Sequence, residues 1–412
     1  MAQTPATEAA ASDTQSAAGP RAWLSLGALG LLFFLITAGT FTSLGVALPD
    51  MVESLHWTWS QAALGYTLLA LSCGLTSLVP ALLVRRFGVR RTLYTGAGLM
   101  ALGFFTAGTS VAPLTFWAAA VMMGAGFSLT AIIPGAYVLT RSFSHKSTAI
   151  GAYYTAGALG GVAGPLIFTL IHGAALGWRG YWLMLAVAVA ITGAVAAFAV
   201  DPATDATDSG QGKAPIAPGD WSVGAALKTP QFWIITAAYT AYLLCETSLN
   251  GLSATHLASR GLTPAMAAGL LSLQALINAF ARAGAGLIGE RVAPRKVAIV
   301  ALALVTVGIF ALGRAQGWGE ASLAVIAVGA GYGASSLATT LMLLQAFGRS
   351  RNLELMAWMC LVSTLAAAGP VIGGMVKDAS GGLTPAFDLF AVVAAMALFA
   401  LIAMRPQKPL VA

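Results

Sequence analysis

A chain of 412 residues that is 58% hydrophobic and only 8% charged lies far from soluble domains, in which roughly a quarter of residues carry charge. Its net charge of +7 would suit a nucleic-acid binder in a soluble protein. Here the basic residues fall between long apolar segments, which excludes that reading and makes them membrane topology signals.

Residues 1–21 are rich in Ala, Thr and Ser, with neither a basic start nor an apolar core, and read as a disordered cytoplasmic tail. Segments long enough to cross a hydrocarbon core about 30 Å thick follow at 22–48, 60–84, 92–110, 113–140, 147–173 and 179–200. Six more lie at 230–256, 264–289, 297–315, 320–347, 354–377 and 384–404. The stretch 201–229, with four Asp and several Pro and Gly, reads as a cytoplasmic linker, and 405–412 as a second tail. The expected fold is an all-α membrane protein. Twelve transmembrane helices form two six-helix bundles, 22–200 and 230–404, with both termini cytoplasmic. That topology puts sixteen of the 21 basic residues inside and Arg179, Arg260, Arg314 and Lys377 outside. Arg282 alone is left within a span.

An internal repeat supports two bundles. VRRFGVRR (84–91) lies over GERVAPRK (289–296), and Gly164-Pro165 over Gly369-Pro370, both at an offset of 205. Same-orientation repeats related by an axis along the membrane normal mark transporters that bind substrate between their halves. The same shift puts Ser77 under Arg282 and Cys73 under Asn278, so the charge belongs to the second half alone.

Arg282 lies in ALINAFARAGAGLIG (275–289), with Asn278 four residues earlier on the same helical face. A guanidinium deep in hydrocarbon costs at least about 2.5–3.5 kcal/mol, so such a residue faces a cavity and serves function. Arg282 is expected to hold a small organic anion, with Asn278 orienting it. Glu246 is the carboxylate well inside a span, and two roles stay open for it: a proton-coupling site, or a fixed counter-charge for Arg282. Tyr332 and Cys360 are further substrate-binding candidates, although a lone Tyr or Cys on such helices often only packs. Cys73 and Cys245 read as structural thiols. Lys377 and Asp378 mark an outer gate or an interfacial ion pair. The four histidines fall in loops or at helix ends, as solvated boundary residues do. No phosphate-cradling loop, metal cluster or nucleophile triad is visible, which disfavours an ATP-driven pump or an enzyme, and no cofactor is expected.

RRFGVRR and GLIGERVAPRK (286–296) resemble the G-x-x-x-D/E-R-x-x-x-R/K signature of the major facilitator superfamily, which acts at a cytoplasmic helix junction that opens and closes. The resemblance assigns Arg86, Arg90, Glu290, Arg291 and Arg295 to that gate, while Arg85 stands where the first copy expects an acid. YVLTRSFSHKSTAIGAYYTAGALGGVAGPL (137–166) and SLGVALPDMVESLHWTWSQAALGYT (43–67), with its Trp59-Ser60 pair, resemble the monocarboxylate-transporter branch and its bacterial oxalate/formate relatives. That branch carries Asp-x-x-x-Arg on its eighth helix for the carboxylate and the proton. Here the acid is Asn278, and the branch's first-helix lysine falls at or near Thr42.

The resemblance implies alternating-access transport of a small monocarboxylate such as L-lactate or pyruvate. The expected protein is a monomer in the cell inner membrane, proton-coupled, with lipid and substrate as its partners and no nucleic acid. A carboxylate antiporter of the oxalate/formate kind, a drug or organic-cation exporter leaning on Glu246, and a non-transporting membrane receptor or assembly protein remain as alternatives.

Overall fold

The computed structural model describes residues 19–173, 176–202, 205 and 220–405, so the tail and linker assignments at 1–18, 206–219 and 406–412 lie outside the described residues. Helices, with no strand among the described residues, make up the first half as α1 (Pro20–Gly39), α2 (Phe41–Leu55), α3 (Trp59–Leu75), α4 (Val79–Phe87), α5 (Val89–Gly108), α6 (Pro113–Thr130), α7 (Ile132–Ser142), α8 (Lys146–Gly173) and α9 (Gly177–Ala199). The short α10 (Val223–Ala226) precedes α11 (Pro230–Ser259), α12 (Pro264–Ile288), α13 (Pro294–Arg314), α14 (Trp318–Phe347), α15 (Asn352–Ser363), α16 (Gly369–Ser380) and α17 (Thr384–Ala403). Among the described residues nine helices are long and apolar enough to cross a membrane, or ten if Leu64–Leu75 and Val79–Phe87, bent by 50°, count as one.

Local chemistry sets the helix starts. Thr58 and Gln61 form a reciprocal capping box at α3, each side chain accepting from the other's backbone N–H. Thr263, at the repeat offset of 205, caps α12 by accepting from Met266, and Pro264 follows at the first turn, where its missing N–H costs nothing. Thr229 and Pro230 do the same for α11. α5 and α13, and α6 and α14, also begin 205 residues apart, so the repeat extends through the helix order.

Several helices break in mid-path, which sequence periodicity did not anticipate. Helical structure from the first segment continues past the expected end at 48 to Leu55, with an interruption at Thr40. Pro80, Pro134 and Pro370 lie four residues beyond Thr76, Thr130 and Ala366, next to the interruptions between α3 and α4, α6 and α7, and α15 and α16. Proline cannot donate to the carbonyl four residues back and clashes with it, so the helix bends or stops there. Side-chain hydroxyls add hydrogen bonds to carbonyls beside these interruptions. Tyr181 donates to Ala38 O at 2.8 Å, with Ser43 Oγ on the same oxygen, Tyr153 to Ala131 O at 2.9 Å, and Thr247 Oγ1 to Ala366 O at 2.7 Å.

One crossing between the halves is made where side chains are absent. α8 of the first half crosses α12 of the second at Gly151 and Gly286, and a methyl group on Gly151 would fall 2.6 Å from the Gly286 Cα. A second seam joins α3 and α4 to α15 and its 3₁₀ extension, where Gly74 abuts Thr364 and Ser77 Oγ donates to Ala357 O at 3.1 Å.

Two aspartates fasten the inter-half connection. Asp205 accepts from the Arg90 N–H at 3.1 Å, beside Gly88, whose φ of +87° only glycine adopts freely. Asp220 accepts from Arg349 N at 3.1 Å, Ser350 N at 2.8 Å and Ser350 Oγ at 2.6 Å, beside Gly348 at φ +81°.

Candidate functional site

α12 carries Gln274, Asn278 and Arg282 four residues apart, a polar stripe about 12 Å long at 1.5 Å rise per residue. At its lower end Arg282 is fixed from three sides. Its Nε donates to Asn278 Oδ1 at 2.9 Å, and its Nη1 to the Tyr154 carbonyl of α8 at 3.2 Å. Its Cζ stands 5.3 Å from the ring centroid of Tyr332 on α14 and 5.8 Å from that of Tyr154. Two aromatic faces can hold a cation without using its N–H groups. No carboxylate reaches ion-pair distance of Arg282 among the described residues.

Glu246 of α11 forms the upper end and is buried. It does not pair with Arg282. Gln274 Nε2 donates to both carboxylate oxygens at 2.8 and 3.0 Å, and Asn250 Nδ2 to one at 3.3 Å. Neutral amides satisfy the lone pairs without neutralising the charge, so among the described residues the carboxylate has no cation partner in a site where an unpaired charge is costly.

Aromatic side chains line the space between. Tyr239, Tyr242 and Tyr332 stack edge to face with centroids 5.1 and 5.3 Å apart. Cys360 Sγ points to Tyr239 OH at 3.9 Å, and Tyr154 OH lies 3.3 Å from Thr340 Oγ1 across the half boundary. Arg282, Asn278, Tyr332 and Cys360 therefore share one neighbourhood, with Glu246 joined to it through Gln274. Sequence reading missed Gln274 because the apolar window was opened at residue 275, one position too late. The i, i+4, i+8 spacing of Gln274, Asn278 and Arg282 was the available signal. Nothing in spacing marked Tyr154, Tyr239 or Tyr242.

The gate residues divide. Arg90 donates to the Ala197 and Phe198 carbonyls at 3.0 and 3.3 Å, tying α5 to the end of α9. Arg295, at the repeat position, does the same to Leu401 and Ile402 at 3.3 and 2.7 Å, tying α13 to the end of α17. Arg86 and Arg291 are exposed. Glu290 crosses to the other half, accepting from Thr148 N at 2.9 Å in the first turn of α8, where a helix dipole favours an anion. Arg85, at the equivalent position of the first copy, also crosses over. It pairs with Glu354 in the first turn of α15, and Arg351 lies 3.6 Å from the same carboxylate. The acid absent from the first loop is thus supplied by the helix that the loop meets.

This pair predicts a charge-swap result. Arg85→Glu and Glu354→Arg alone should each slow uptake, by about fivefold for a half-exposed ion pair worth on the order of 1 kcal/mol. The double variant should recover most of the loss in a four-corner cycle of initial rates. Equal deficits in single and double variants would remove the pair from the cycle.

Lys377 and Asp378 are both exposed and make no ion pair among the described residues. Adjacent helical residues do not face each other.

The sequence profile of the Major Facilitator Superfamily matches residues 29–289. The chain belongs to the major facilitator superfamily. It is a transporter, not an enzyme, and transporters of this family need no cofactor. The comparison with curated proteins returned no match. Among solved structures, the chain is similar to the fucose:proton symporter FucP of E. coli, at 17% identity and a TM-score of 0.65, covering 92% of this chain and 97% of that one. A second structure, of FucP in the outward conformation, matches at 16% identity and a TM-score of 0.67, covering 93% and 99%. At these identities the likeness establishes the facilitator fold.

Proposed function

We propose that this facilitator carries a small monocarboxylate of the lactate or pyruvate type together with a proton, by alternating access between its halves. The observation that carries the reading is Arg282: a guanidinium held at the boundary of the halves by an amide, a carbonyl and two aromatic faces, with no carboxylate partner among the described residues. A substrate carboxylate is the partner that completes it, by a charge-assisted contact that Asn278 orients. Tyr332 and Cys360 then border the short organic tail. One cation matches one carboxylate.

Glu246 supports symport over exchange. Its charge has no cation partner among the described residues, and a proton is the smallest ion that removes it. Proton and carboxylate together form a neutral load that crosses the hydrocarbon region more easily than the anion alone.

In the cell we place the chain in the inner membrane as a monomer. Each interrupted helix counts as a single crossing, and α5 and α11 added to the ten make twelve, with the basic loops and both termini inside. The Arg85–Glu354 and Glu290–Thr148 contacts join the halves on that basic-loop face. Uptake of labelled L-lactate into proteoliposomes, with and without an inward proton gradient, tests the reading. Saturable uptake that the gradient accelerates and pyruvate inhibits is expected. Uptake no faster than into protein-free vesicles would sink it.

A further inference from the structure

Cys73 and Cys360 belong to different halves, and the α3–α15 seam places them on facing surfaces. Gly74 and Ser77 fix one side of the register, opposite Thr364 and Ala357 respectively. Cys73 adjoins Gly74, and Cys360 lies between Ala357 and Thr364, whose hydroxyl donates to the Cys360 carbonyl at 3.3 Å. Because Gly74 has no side chain, the Thr364 side chain packs directly against the α3 backbone. Such close approach brings backbones toward the Cα separation of about 4.4–6.8 Å that a disulfide spans. Both are half-buried and free, whereas Cys245 is fully buried within the second half, its Sγ directed at Phe390 O.

We infer that Cys73 and Cys360 form an oxidisable dithiol that, once bridged, fastens the two halves in the arrangement joined at the basic-loop face. A small disulfide is the oxidant. One protein thiolate attacks it, forming a mixed disulfide and expelling one thiol. The second protein thiolate then displaces the other half. Two cysteines are oxidised, the reagent is reduced to two thiols, and the protons of the cysteines end on them. The lock rests on the alternating access proposed above, and not on the identity of the cargo.

Treatment of the purified protein with cystamine tests it. Wild type should lose two of its three thiols and the mass of two hydrogens, with no cysteamine retained. Peptide mapping should join the segments bearing Cys73 and Cys360. L-Lactate uptake should be lost and return on reduction with dithiothreitol. In Cys73→Ala the same treatment should leave cysteamine attached to Cys360 and form no internal disulfide. Retained cysteamine on wild type, three unreacted thiols, or a bridged protein that still transports would each overturn the inference. The mass readout stands even if lactate is not carried, so failure of the lock and failure of the substrate assignment are distinguishable.

Discussion

Replacing Arg282 with alanine should abolish saturable L-lactate uptake while leaving the protein folded. Removing one partner of a desolvated charge pair costs on the order of 3–5 kcal/mol, at least a hundredfold in apparent affinity. The folded state is spared because Arg282 makes no ion pair among the described residues, and its loss leaves only the Asn278 oxygen and the Tyr154 carbonyl without this donor. Arg282→Lys should retain the charge and lose the planar fork, and so fall between the two, roughly tenfold weaker than wild type. Thermal unfolding in detergent monitors the fold, and competition by unlabelled lactate monitors the site. Arg282→Ala protein that unfolds like wild type and still takes up lactate with unchanged affinity would remove the guanidinium from substrate binding.

Glu246→Gln should separate transport from its driving force. The substitution keeps the shape and an acceptor for Gln274 and Asn250 but cannot bind and release a proton. Exchange of internal for external lactate should persist, because both directions then use the same neutralised site. Accumulation against a gradient should fall from about tenfold per unit of pH difference to near equality across the membrane. The paired measurement is counterflow against gradient-driven uptake in the same vesicles. If the variant still accumulates lactate in response to a pH gradient, the proton binds elsewhere. Gln274→Ala offers a milder test, since it removes two of the hydrogen bonds on the carboxylate and leaves the titrating group in place.

The helices of this chain were legible because each signal was local. Apolar runs, Thr-Pro starts at 229–230 and 263–264, and the 205-residue repeat were all visible in the letters. Arg282 was legible for another reason: its cost in hydrocarbon singles it out wherever it lies. Breaks were harder to place. Pro80, Pro134 and Pro370 marked three of them, yet the break at Thr40 has no proline, and the hydroxyls of Ser43 and Tyr181 that accommodate it are distant or unremarkable in sequence. Partnerships across the halves were not legible at all. Glu354 read as the first residue of a helix and became the counter-charge of Arg85 only when two segments far apart in sequence were brought together. Tyr154 offers Arg282 a backbone carbonyl, a group every residue carries and no sequence pattern can single out.

The contact of Gly151 with Gly286 bears on how fast the molecule can turn over. At that point the two helices touch through bare backbone, so parting them there requires no change of rotamer. Resistance to opening then falls on the side-chain contacts around it: Arg282 with Tyr154, Thr364 against Gly74, Arg85 with Glu354, and Glu290 with the start of α8. A crossing of this kind behaves as a smooth bearing, and the work of opening is concentrated in the few contacts that surround it.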